Sequence, residues 1–303
     1  MAPGLHSLQT NFGNGPADQR IFQLDEEYDQ HRHNKEVCRR EGIEKYYVRA
    51  VESPKTQIEI SRFIAQLLST DYPEYFVYSE SGSYCHFANQ LTENRLQWEK
   101  ESAELIHPEY LSVLDALADQ VPEDIAIWQK TGEEDYISTI HLCSPNHWSP
   151  KDKVGKPFSL IHQPVAEMEK LRARYQPMLN ALVRSKTQVR FAWGISTDQR
   201  LNHHPEPPLE TGESEWVGRS FNPNNPKLFV RTERQTLTGF PAVQSVLFTI
   251  RTYFTDVLEL SATELLALIE AIKTMSEASL RYKGLYADRD QIIAWLESRQ
   301  SIS

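Results

Sequence analysis

LFVRTERQTLTGFPAVQSVLFTIRTY, Leu228 to Tyr253, reads as two strands joined by a turn, with charges set among β-branched and aromatic residues. A period of two puts Phe229, Arg231, Glu233, Gln235 and Leu237 on one side of the first strand. Leu228, Val230, Thr232, Arg234 and Thr236 fall on the other. Gly239, Phe240 and Pro241 turn the chain, and the second run opposes Val246, Phe248 and Ile250 to Leu247, Thr249, Arg251 and Tyr253. Taken alone, the pattern assigns Arg231, Glu233 and Arg234 to the solvated side of a half-exposed sheet. The competing reading buries them, and then each must be paired, because an isolated buried charge costs several kcal/mol.

Outward from this hairpin, YISTIHLCS (136–144) and Gln188 to Ile195 also read as strands. Pro145, Pro150 and Pro157 force loop between them, and Pro164 opens an expected helix through Val183, with Met168, Leu171, Tyr175, Met178 and Leu182 inward. Thr197 to Pro226 is expected to be a long loop. On the N-terminal side, Thr56 to Ser69 has helical spacing of Ile58, Phe63, Ile64, Leu67 and Leu68. Pro108 opens a second helix with a stripe of Leu111, Leu114, Leu117 and Val121. Ser261 with Glu264 matches a capping box before TELLALIEAIKTM, and a last helix covers Asp288 to Arg299. The expected class is α+β, an antiparallel sheet wrapped by N- and C-terminal helices. Residues 1–19 are expected to be a flexible tail, and residues 20–299 a single domain.

The formal charge of −10 over 303 residues argues against nucleic-acid and anionic-membrane partners, which call for basic surfaces. No apolar run approaches the roughly 20 residues that span a bilayer, and no signal sequence opens the chain, so the expected location is cytoplasmic. Cys38, Cys85 and Cys143 are too few and too scattered for a disulfide framework or an iron–sulfur site. A dinucleotide fingerprint of the GxGxxG type is absent.

RTERQTLTGFPAVQSVLFTIRTY (231–253), CSPNHWSPKDKVGKPFSLIHQPV (143–165), VRFAWGI (189–195) and RYKGLYADRDQIIAWL (281–296) occur in an order that resembles the haem-dependent oxidative N-demethylase-like family. One departure is Ala192, where the family commonly has Asn. The resemblance implies a variant of the PAS fold, a haem b cofactor, and oxidation of an N-methyl group by dioxygen. The product would be a carbinolamine that collapses to amine and formaldehyde. It implies a small-molecule amine substrate and, since this chain shows no flavin or iron–sulfur site, electrons from a separate reductase. Two other readings stay open: a haem-binding PAS-like sensor or carrier, and a non-catalytic subunit without cofactor.

A haem needs an axial ligand, cations for two propionates and apolar walls. His162, in the I-H-x-P-V match and ahead of Pro164, is the candidate axial ligand, and His141 on its strand is the rival. Arg234, Arg251, Lys153 and Lys283 are candidate propionate partners, with Arg231 considered beside them; Trp148, Phe158, Trp193, Tyr253 and Tyr282 are candidate neighbours of the cofactor. Glu233 is the candidate acid–base group, with Arg231 holding it ionised, Gln235 orienting water or substrate, and Tyr253 as a phenol donor. The pairs His31/His33 and His203/His204 read as solvated.

Overall fold

A computed structural model describes residues 4–51, 53–106, 109–163, 165, 175–217 and 220–300. Its strands are β1 (His6–Ser7), β2 (Tyr47–Arg49), β3 (Phe76–Ser81), β4 (Tyr84–Asn89), β5 (Asn94–Glu99), β6 (Asp124–Thr131), β7 (Glu134–His141), β8 (Gln188–Ser196), β9 (Phe229–Phe240) and β10 (Ser245–Asp256). The helices are α1 (Tyr28–Gly42), α2 (Pro54–Asp71), α3 (Val113–Ala118), α4 (Phe158–Ile161), α5 (Tyr175–Arg184), α6 (Glu213–Val217), α7 (Ala262–Thr274), α8 (Glu277–Tyr282) and α9 (Arg289–Gln300). The class is α+β. Seven strands form one sheet in the order β1-β8-β9-β10-β6-β7-β2, and β3, β4 and β5 form a second, with neighbours antiparallel throughout.

The charged hairpin is the centre of the large sheet. Pro241–Val243 make a single 3₁₀ turn, and Gln244, at φ 49°, closes it in the left-handed region. This turn sets the register that pairs Arg234 with Arg251 and Glu233 with Thr252. Gly239 lets α5 lie directly on β9: a Cβ there would stand 2.3 Å from the Leu182 carbonyl oxygen and 2.5 Å from that of Val183. Both obstacles are backbone and cannot swing aside. Gly239→Ala is therefore expected to destabilise the fold by about 1–3 kcal/mol, measured as a shift in the urea midpoint at constant slope.

One face of the sheet is closed by a core in which Ile125, Ile127 and Leu247 meet Ile60, Ile64 and Leu68 of α2 and Phe76, Phe87, Leu96 and Trp98 of the small sheet. The opposite face carries Ala126, Ile140 and Ile250 against Ile161, with Trp128, Trp148, Val154 and Phe248 only partly buried beside them. Leu265, Leu268, Ile269 and Ile272 of α7 form a further core with Leu280, Leu285, Ile292, Leu296 and the β8–β9 residues Trp193, Ile195 and Val230. The Ser261–Glu264 capping box is present, with Ser261 N donating to Glu264 Oε2 at 2.9 Å and Glu264 N to Ser261 Oγ at 3.3 Å.

Several expectations need correction. Pro108, from which a helix is expected, lies outside the described residues; among those described the helix begins only at Val113, because Ser112 adopts extended backbone angles and caps it, accepting from Asp115 N. Leu111 stays outside it, 52 % exposed, while Leu114, Leu117 and Val121 are buried. Of the helix expected from Pro164 to Val183, residue 164 and residues 166–174 lie outside the described residues, and α5 is the described part. Residues 6–19, expected within a flexible tail, contain β1 paired to β8 and a 3₁₀ turn whose buried Asp18 accepts from the backbone of Phe12 and Asn14. The Thr197 to Pro226 loop contains α6 and is tied to residue 146 by a parallel bridge at His203.

Candidate functional site

Burial decides the fate of the hairpin charges. Arg231, Arg234 and Arg251 are 2 %, 3 % and 0 % exposed, so the solvated reading does not hold. The strand alternation sorts them onto two faces with different partners. Arg234 points to the closed face and donates to three carbonyls of the N-terminal segment: Arg20 at 2.8 Å, Asp18 at 3.2 Å and Ile21 at 3.5 Å. Arg251, its cross-strand neighbour, donates to Asp25 at 2.6 Å and Glu27 at 3.4 Å. Tyr253 shares that face and donates to Gln23 Oε1 at 2.5 Å; burial pushes its phenol pKa up. These three therefore clamp residues 18–27 to the sheet, away from Glu233.

His141 also belongs to the closed side, paired in register with Ile125. Its Nε2 is 3.4 Å from Asp115 Oδ1 and its Nδ1 is 4.0 Å from Cys143 Sγ. Burial opposes charge on this ring, but Cys143 and Asp115 prevail and raise its pKa to about 9. Asp124, His141 and Cys143 bring ligand-type atoms within 4.8 Å of one another, all buried. This group is an internal charge network: both Asp124 oxygens accept backbone N–H groups, from Cys143 at 2.7 Å and Ser144 at 2.9 Å. Arg39 pairs with Asp115 at 2.7 Å, and the Lys35 ammonium, held by the carbonyls of Ala118, Val121 and Glu123, supplies a second cation.

The other face gathers the remaining candidates. Arg231, Glu233 and Gln235 alternate along β9 there, and Gln235 Nε2 donates to Glu233 Oε2 at 2.9 Å while Arg231 Nε lies 3.6 Å from Glu233 Oε1. His162 closes the short α4 helix at the edge of this face. Its ring packs 4.0 Å from Phe158 and lies nearly parallel to Trp128, 6.4 Å away. Nδ1 is 3.0 Å from the Phe158 carbonyl oxygen, which can only accept, so Nδ1 carries the proton and donates it. Burial, helped by the nearby Lys153 and Arg190 cations, lowers the His162 pKa to about 4 against the pull of that carbonyl. The ring is neutral at physiological pH, with a lone pair on Nε2. That is the state in which imidazole binds a metal, the second nitrogen fixed by a backbone acceptor.

Lys153 and Arg190 lie near His162, and Lys283 lies near Glu233. Lys153 Nζ donates to Ile161 O at 2.7 Å and sits 5.6 Å from the Trp148 ring. Lys283 Nζ donates to Trp193 O, lies 4.9 Å from the Trp193 ring and is near Glu233. Burial disfavours charge on both lysines. Arg190, paired in register with Gln235, was missed in the sequence; its Nε is buried with no hydrogen-bond partner among the described residues. Burial works against its charge too, and Glu233 and Tyr282 oppose that effect. The available signal was a cation sharing its strand face with Ala192 and Gly194, whose small side chains leave space beside it.

His203 and His204 were also misread. Both are buried, as is His31. His203 stands against Arg231, with Nδ1 3.2 Å from Nη1.

The residues on the Glu233 face fit a haem: an imidazole whose Nε2 has no hydrogen-bond partner among the described residues, three cations including the half-buried Arg190 with its Nε unpartnered among them, and apolar side chains from β6, β7 and β10. A family model described as "Haem-dependent oxidative N-demethylase, alpha subunit-like" matches residues 15–293. The chain belongs to this family. The matched span takes in both the N-terminal segment clamped by Arg234 and Arg251 and the face carrying Glu233 and His162. Among the described residues no helix is long and apolar enough to cross a membrane.

Proposed function

We propose that this chain binds haem b on the Glu233 face of a PAS-like sheet and oxidises an amine-containing small molecule, taking electrons from a separate reductase. The observation that carries the proposal is the His162 ring, with Nδ1 donated to Phe158 O and Nε2 left to bind iron beside the face that holds Glu233. A bound haem supplies the iron at which dioxygen is reduced and an N-methyl group oxidised. Arg190, Lys153 and Lys283 would hold the propionates, each having donors without a partner among the described residues. Trp148, Phe248, Ile140 and Ile250 exclude water from the macrocycle's surroundings. Glu233 accepts the proton of the substrate ammonium, Gln235 fixes the orientation of its carboxylate, and Arg231 supports its charge.

The purified full chain tests this directly. A Soret band that shifts on reduction and again with carbon monoxide is expected, as is formaldehyde release from methylamines when a reductase and dioxygen are supplied. Protein that stays colourless after hemin titration overturns the cofactor assignment. A haem protein that releases no formaldehyde across methylamine substrates overturns the reaction and leaves a sensor or carrier.

A further inference from the structure

We propose that His203 and Asp198 are the positioning pair of this site, fixing Arg231 against Glu233; the role assigned to Arg231 rests on the reading of Glu233 given above. Arg231 is the buried hub. Its Nη2 donates to Ser144 O at 2.7 Å and Thr252 Oγ1 at 3.4 Å, and its Nη1 to Leu201 O at 3.4 Å and to His203 Nδ1 at 3.2 Å. A guanidinium has donors alone, so His203 Nδ1 must accept. On the far side of the ring, Nε2 is 2.9 Å from Asp198 Oδ1, which requires the proton on Nε2. Both neighbours demand the same neutral tautomer, and burial, partly offset by Asp198, lowers the His203 pKa and favours the neutral form.

Asp198 is itself held. Arg200 donates to Asp198 Oδ2 through Nη2 at 3.0 Å and Nε at 3.2 Å, and to the Trp216 carbonyl at 2.7 Å. His203 and Arg200 keep the Asp198 carboxyl below its ordinary range in spite of burial. The His147 ring packs on His203, 5.1 Å between centroids. A run of contacts thus leads from Trp216 in the 197–226 segment through Arg200, Asp198, His203 and Arg231 to Glu233. The segment expected to be a long loop is the outer support of the site.

Shape and tautomer can be separated by substitution. In Asp198→Asn the amide can donate to His203 Nε2, which places the proton on Nδ1 and sets donor against donor at Arg231. His203→Asn puts an amide oxygen close to the position of Nδ1 and keeps the acceptor, whereas His203→Ala removes it. In the full chain labelled with ¹⁵N-histidine, the resonance lost in His203→Asn is expected to report the neutral Nε2–H tautomer, and to convert to Nδ1–H in Asp198→Asn. In haem-loaded protein, His203→Ala and Asp198→Asn are expected to lower kcat/KM by about 10–100-fold and to move the acidic limb of its pH profile upward. His203→Asn should recover to within about threefold of the unmodified chain, the acceptor to Arg231 being restored. An Nδ1–H tautomer in the unmodified chain, or an unchanged pH profile in His203→Ala, overturns the proposal. If the unmodified chain shows no haem or no turnover, the reading of Glu233 fails, and the tautomer measurement still decides whether the pair orients Arg231.

Discussion

His162→Ala is expected to lose haem, whereas His141→Ala is expected to keep it. The two imidazoles differ in what their second nitrogen does. His162 donates Nδ1–H to Phe158 O and leaves Nε2 without a partner among the described residues. His141 has Asp115 on one side and Cys143 on the other and lies on the opposite face of the sheet. On the function proposed above, removing His162 would take away the bond to iron, which contacts to the propionates would not replace. Removing His141 instead leaves Asp115 with Arg39 and costs about 1–3 kcal/mol of stability through lost buried polar contacts. Soret absorbance per folded chain, with melting curves as the folding control, checks both. Haem retained in His162→Ala and lost from a folded His141→Ala reverses the assignment.

Glu233→Gln is expected to lower turnover by about 10²–10⁴-fold, the range for removing a positioned acid–base group. Glutamine has nearly the same shape and can keep a hydrogen bond with Gln235, so the local packing of β9 persists. What disappears is the negative charge that accepts a proton and faces Arg231 at 3.6 Å. Haem content should be unchanged, since His162, the proposed ligand, and the cations at Arg190, Lys153 and Lys283 are untouched. Single-turnover formaldehyde yield together with the haem spectrum measures the two consequences separately. Full activity in this variant removes Glu233 from the mechanism.

The hairpin shows how far alternation alone reaches. Period two places Arg231, Glu233 and Gln235 on one side and Arg234 on the other, and the structure keeps that partition. The same rule puts Arg251 with Tyr253, again as observed. It is silent on which face of β10 continues which face of β9. A shift of one residue in the turn at Pro241–Val243 would have brought Arg251 beside Glu233 rather than Arg234. Arg234, Arg251 and Tyr253 are therefore plausible site residues from the sequence and N-terminal clamps in the fold.

The residues missed have a common cause. Arg190 and His203 lie in strand and loop contexts where local pattern favours solvent, and each acquires its role from partners far along the chain. Arg231 reaches Ser144, 87 residues away, and Arg234 reaches Asp18, 216 residues away. Contacts of that separation depend on sheet order and register, which are properties of the assembled chain.

Residue order alone determined the α+β class, the hairpin, the capped α7 helix and the ordered motifs that mark the family, because propensity, periodicity and capping act over a few neighbouring residues. Tertiary structure decided that three arginines are buried, that His162 and Glu233 share a face while His141 and Tyr253 do not, and that the 197–226 segment supports Arg231. The physical reason is that an inward charge is stable only beside its counter-groups, and here those groups arrive from distant segments once the sheet has closed.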